Sequence, residues 1–190
     1  MAREPGPRIS RYETIIATLV GVSALFVSGY TAYVQRQQVR AAVWPILEYN
    51  TSNEPYIRLT LDNKGVGPAI IRHVIVKVDN QAVPNWHDAL QKLIGPGNHK
   101  FSESTMSSHV LSAGESMDIM VPRDDDNSPL NLQKGGQLWS SLNEGRQRVE
   151  VEICYCSTLG ECWTLRSGPN GNATTETRTC PGTSATTFQQ

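Results

Sequence analysis

Four cysteines carry most of the chemical information in this 190-residue chain: Cys154, Cys156 and Cys162 lie close together, and Cys180 follows farther on. Between Arg148 and Cys156 the alternation puts Val149, Val151, Ile153 and Tyr155 on the core side of a strand, so Cys154 and Cys156 share the outer face with Glu150 and Glu152. Free thiols are rare there, because an unpaired cysteine behaves as a small hydrophobe and is usually buried. Ser157 to Glu161 makes a turn, after which Trp163 and Leu165 face the core and Cys162 again points outward. A hairpin register that sets Cys156 opposite Cys162 brings the two within disulfide reach. Cys154 then needs Cys180, and that bridge would tie the polar C-terminal segment over the outer face of the sheet. Four cysteines formally allow three pairings, of which Cys154 with Cys156 is disfavoured because neighbours on one strand face diverge. By chain entropy the larger loop adds about 3 kcal/mol. Such bonds persist only outside the reducing cytosol.

Other chemistries for the same sulfurs fit less well. A zinc site uses thiolates two to four residues apart plus a second pair, and here no histidine is adjacent. A thioredoxin-like motif needs two residues between its cysteines at a helix N-terminus, not one residue on a strand. His73, His87, His99 and His109 are scattered, with no common face that predicts a ligand set. The run Arg123 to Ser128 offers Asp124, Asp125 and Asp126 as oxygen ligands, but it lacks the glycine and distant glutamate of an EF-hand loop and reads as a solvated turn. Gly65-Val66-Gly67 lacks the third glycine of a dinucleotide fingerprint and reads as a tight turn. There is no nucleophile elbow, phosphate loop or zinc-protease motif, so no catalytic, metal-binding or cofactor-binding residue is assigned. Asn172-Ala173-Thr174 matches a glycosylation acceptor, relevant only in a eukaryotic secretory route.

The elements that must position the sulfurs begin with an anchor. Residues 15–34 (IIATLVGVSALFVSGYTAYV) carry no charge, whereas Arg3, Arg8 and Arg11 precede them and Arg36 and Arg40 follow. Twenty residues of helix span roughly 30 Å, the thickness of a bilayer's hydrocarbon core. The run is too long for a signal-peptide core and ends without small residues suited to cleavage. Tyr12, Tyr30 and Tyr33 suit the water–lipid boundary, and the small arginine excess before the span favours an N-terminus inside. Ala24, Ser28 and Ala32 recur every fourth position, a spacing that allows close helix approach, so self-association through the span stays open. With 17 basic against 18 acidic residues and no basic block, nothing recommends nucleic acid as a partner.

Beyond the span, VQRQQVRAAVW favours helix up to Trp44, and Pro45 stops it. From Ile46 the apolar period is two. Ile57, Leu59 and Leu61 line one face of a strand, residues 63–69 (NKGVGPA) form a turn, and Val74, Val76 and Val78 line a second strand. Residues 85–94 predict a short helix capped by Asn85, with Trp86, Leu90, Leu93 and Ile94 inward. Residues 98–108 look like a surface loop, Met117, Ile119 and Val121 mark another strand, and 137–143 a second short helix. The segment 167–190, rich in Ser, Thr, Gly and Asn, reads as a loosely ordered tail.

The Trp44-Pro45 junction, the turn Asn63 to Ala69, and the block Cys154-Tyr155-Cys156-Ser157 through Glu161-Cys162-Trp163 resemble those of a widespread group of uncharacterised bacterial single-span envelope proteins. That resemblance implies a membrane-tethered β-sandwich-like domain and carries no assigned activity. The expected architecture is mainly β: an immunoglobulin-like β-sandwich with one or two short helices, preceded by one transmembrane helix. Its parts are a cytoplasmic segment 1–14, the span 15–34, a helical stalk 35–45, the sandwich 46–166 and a tail 167–190 tied by Cys180. The expected location is the bacterial inner membrane, single-pass, with the domain in the periplasm. The expected role is an interaction or accessory module, without catalysis, that contacts a protein or envelope component through loops 95–110 and 122–130. An envelope-acting enzyme with an unrecognised site, and a membrane effector or sensor self-associating through its span in stress response or phage defence, are the alternatives.

Overall fold

The computed structural model describes residues 11–168, 171–182 and 187–189, with only the backbone of 132–135. Arg3 and Arg8 of the orientation argument lie outside the described residues. Helix α1 runs from Arg11 to Ala42, and it is the one described helix long and apolar enough to cross a membrane. None of its residues is buried by protein. Leu19, Leu25 and Phe26 are exposed, as the uncharged run requires if lipid is to cover them. The chain divides into two compact units between Ala41 and Ala42.

The second unit is mainly β. Its strands are β1 (Leu47–Ser52), β2 (Arg58–Asn63), β3 (Ala69–Val78), β4 (Gln81–Val83), β5 (Phe101–Glu103), β6 (Val110–Leu111), β7 (Ser116–Pro122), β8 (Val149–Cys156), β9 (Cys162–Gly168) and β10 (Gly171–Thr177). Two helices join them, α2 (Trp86–Ile94) and α3 (Leu132–Gly145). One sheet has the order β1-β2-β7-β5; the other runs β10-β9-β8-β3-β4, with β6 also against β3. All pairings are antiparallel. Both sheets feed one core, in which Leu59 and Leu61 of β2 meet Ile71, Val74 and Val76 of β3 and Val151, Ile153 and Tyr155 of β8. This arrangement is compatible with an immunoglobulin-like sandwich.

Helix α2 begins where Asn85 accepts a hydrogen bond from the Asp88 amide (2.8 Å) and stops at Gly95, whose φ of 92° suits glycine. Trp86, Leu90 and Leu93 are its buried side. In α3 the helix is interrupted at Gly136, so the regular part matches the expected 137–143.

Two segments depart from the sequence reading. Residues 98–108, which read as a surface loop, contain β5 and a fully buried Met106; three-residue strands are too short to show a period. The expected loose tail contains β10, which pairs with β9 from Gly171↔Gly168 to Thr177↔Cys162. Its run of Thr residues favours extended backbone, but as an edge strand exposed on both faces it shows no apolar alternation. Farther on, Phe188 is buried in the core, edge-on to Trp86 with ring centroids 5.1 Å apart. Its amide donates to the Val74 carbonyl (2.9 Å), at a place along β3 that neither β4 nor β6 covers.

The segment that begins the domain is fastened by Asn63, which is fully buried. Its Oδ1 accepts from the amides of Ile46 (3.2 Å) and Gly65 (3.0 Å), and its Nδ2 donates to the carbonyls of Gly67 (2.8 Å) and Leu111 (3.1 Å). The amides of Lys64 and Val66 donate to the carbonyls of Ile46 and Trp44. This close passage requires the two glycines of the turn. A Cβ on Gly65 would fall 2.4 Å from the Trp44 carbonyl oxygen, and one on Gly67 2.1 Å from that of Val43. The Trp44-Pro45 junction and the Asn-x-Gly-x-Gly turn are thus two halves of one clamp, completed by Trp44 stacking on Trp163 at 6.5 Å.

Candidate functional site

A cleft of about 250 Å³ lies between α2, α3 and the loops that precede β5 and follow β7. Leu90 and Ile94 from α2, Leu138 and Leu142 from α3, and Leu130 supply apolar walls. Its polar rim holds His99, Lys100, Arg123, Asp124 and Asp125. The rim segments fall inside the loops 95–110 and 122–130 named from sequence.

The rim side chains are held in place by local bonds. Arg123 donates from Nε (3.1 Å) and Nη2 (2.9 Å) to Ser102 Oγ and from Nη1 to the Asn127 carbonyl (3.3 Å). Lys100 donates to the Asp125 carbonyl (2.9 Å) and lies 3.6 Å from its carboxylate. His99 Nε2 is 2.8 Å from the Gly95 carbonyl, which fixes the ring against the end of α2. Asp124 accepts from the amide (3.0 Å) and hydroxyl (2.8 Å) of Ser128, and Asp126 from the same amide at 2.9 Å. These carboxylates therefore build a turn, and their oxygens do not converge on a common point. The cleft combines an apolar lining with fixed cationic donors, an arrangement that suits recognition of an amphipathic group.

The sulfurs lie on the opposite, outer face of the second sheet. Cys154 is bonded to Cys180 and Cys156 to Cys162, and among the described residues no cysteine is free. Cys156 and Cys162 are direct cross-strand partners, as are Cys154 and Thr164. Outer-face position here does not mean exposure: Cys154, Cys156 and Cys162 are all buried. The C-terminal segment supplies part of the cover, through Cys180 and through Thr187, whose hydroxyl is 3.4 Å from His73 Nδ1. His73 is the one buried histidine, and it is Cys154's cross-strand partner on β3. Sequence spacing could not show that pairing, because it depends on which strands are neighbours and on a register shift between Ile71 and His73. His87 is exposed and lies 2.8 Å from Gln91.

Two further polar sites have structural work. Asp62 lies largely buried on β2; burial pushes its carboxyl up, but bonds from Ser116 (2.5 Å), Lys64 (3.1 Å) and Asn50 (3.0 Å) outweigh that and hold it below the usual carboxylate range. A second hollow of about 330 Å³ is lined by Tyr49, Thr51, Arg146 and Asn172. There Arg146 bonds Thr51 and Asn143, and Asn172 donates to the Tyr49 carbonyl (2.9 Å). Among the described residues the Tyr49 hydroxyl is buried without a hydrogen-bond partner, and burial raises its pKa despite the nearby Arg146 cation. Among the described residues, no nucleophile with an adjacent base lines either hollow.

No protein family, curated protein or solved structure matches the chain.

Proposed function

We propose that the protein is a membrane-anchored binding module whose β domain lies outside the cytosol and engages a protein partner or envelope component through the cleft between α2 and α3. The observation that carries this reading is the cleft itself: leucine walls from two helices under a rim where the Arg123 guanidinium is already fixed by Ser102 and Asn127, and the His99 ring by Gly95. A preformed site of that kind loses little side-chain entropy on binding. Export is supported by the two disulfides, which a reducing cytosol would open. The arginines before the span support an N-terminus on the cytoplasmic side of a bacterial inner membrane, with the domain in the periplasm.

The test places a photo-crosslinking residue at Leu138, on the exposed lip of the cleft, and at Glu176, on the exposed strand β10. Intact membranes are then irradiated. A discrete adduct from position 138 only, weakened at least about tenfold by Arg123→Glu, is expected if the rim cation contributes a charge-assisted contact. Identical adducts from both positions, or adducts indifferent to Arg123→Glu, would reject the cleft as the contact site.

A further inference from the structure

We propose that the two disulfides form one exchange-coupled unit, in which a thiol generated at Cys156 passes to Cys154 through Cys180. Cys156 and Cys180 belong to different bridges, yet their Sγ atoms are only 3.7 Å apart. The Sγ atoms of Cys156, Cys162 and Cys180 all lie within 4.8 Å of one another. The fold dictates this crowding. β8 puts Cys154 and Cys156 on one face, the β8–β9 register sets Cys162 against Cys156, and the C-terminal segment brings Cys180 onto the same spot. The four sulfurs therefore follow one another in the order 162, 156, 180, 154.

The exchange needs one external reactant, a dithiol reductant. It opens Cys156–Cys162, leaving both as thiols while the dithiol becomes a disulfide and supplies the two electrons. The Cys156 thiolate, having given up its proton, then attacks Sγ of Cys180. A Cys156–Cys180 bond forms, the Cys154–Cys180 bond breaks with its electron pair going to Cys154, and Cys154 takes up a proton. This second step is redox-neutral, and Cys180 stays tethered throughout. Its product differs from its reactant in one chemical respect. Cys156 faces Cys162 on β9 and Ile70 on β3, whereas Cys154 faces Thr164 on β9 and the buried His73 on β3. Reduction that begins at the hairpin thus moves the free thiol from Cys156 to Cys154, at the β3–β8 pairing opposite His73.

Cys162→Ser in the full chain, purified in detergent micelles, creates the Cys156 thiol with no reductant added. After acid quench and alkylation, peptide fragmentation between Cys154 and Cys156 should find label on both, in amounts within about tenfold of each other, together with a Cys156–Cys180 bond. Label confined to Cys156 with Cys154–Cys180 intact would overturn the proposal. If the variant loses its near-ultraviolet tryptophan signal, the wild-type chain treated with one equivalent of dithiol decides. A Cys156–Cys180 bond with Cys154 and Cys162 labelled supports exchange, whereas label on Cys156 and Cys162 alone contradicts it. The yield must not change on tenfold dilution of the protein; a yield that falls with dilution marks exchange between molecules and refutes the intramolecular step.

Discussion

Replacing Asn63 probes the clamp that fixes the start of the domain. Asn63→Ala removes a fully buried carboxamide and with it two acceptor contacts, to the Ile46 and Gly65 amides, and two donor contacts, to the Gly67 and Leu111 carbonyls. Counting only the carbonyls of Gly67 and Leu111, whose bonds to Asn63 are the buried ones, at about 1–3 kcal/mol for each buried group left unpaired, the cost is about 2–6 kcal/mol, a large share of the roughly 5–15 kcal/mol that holds a domain folded. Urea unfolding of the full chain in micelles, followed by tryptophan fluorescence, should show the midpoint falling accordingly with little change in slope. Asn63→Asp sharpens the test because it keeps the shape and the acceptors. At neutral pH it turns a carboxylate oxygen toward the carbonyls of Gly67 and Leu111, so it should destabilise at least as much as alanine. Burial and those carbonyls raise the folded-state pKa of the new carboxyl above its unfolded value. Its stability is therefore greatest when protonated, below the unfolded pKa, and is lost as pH rises through the folded pKa. An alanine variant costing less than about 1 kcal/mol, or an aspartate variant with the wild-type pH profile, would refute the role given to this side chain.

Phe188→Ala should cost about 3–5 kcal/mol, the usual loss for a buried aromatic, and should perturb the near-ultraviolet signal of Trp86, against which the ring packs; a neutral result would remove Phe188 from the core. Asp62 has a folded-state pKa below its ordinary value, so the stability it contributes is fully present above the unfolded pKa and is lost as pH falls through the folded one. Asp62→Asn should flatten the acid limb of the stability profile, and carboxyl NMR titration should find Asp62 titrating below a normal aspartate; a normal midpoint would deny the Ser116, Lys64 and Asn50 contacts their assigned effect.

The features legible in the sequence were those with local causes. Alternation in β2, β3, β7 and β8, the Asn85 cap of α2 and the uncharged run in α1 each follow from residues a few positions apart. The chemistry of the NKGVGPA turn was not legible, because its glycines answer to the backbone of Val43 to Ile46, which is remote in sequence. β10 and Phe188 leave no mark in the sequence for a related reason: an edge strand of threonines lacks an apolar face, and a lone aromatic in a polar segment gives no period. The rim loops of the cleft could be named from sequence, but the leucine walls could not, since α2 and α3 meet only in the fold. His73 beside Cys154 likewise depends on β3 and β8 being neighbours.

The direct test of a tethered domain exported to an oxidising compartment is cysteine labelling in intact cells with a membrane-impermeant maleimide, with and without a reductant. No label before reduction and label at all four cysteines after it, with the chain staying in the membrane fraction, is the result expected of disulfides formed outside the cytosol. Label without reductant, protection of the reduced thiols in intact cells that is lost on permeabilising the membrane, or a chain that leaves the membrane on gentle lysis would contradict it.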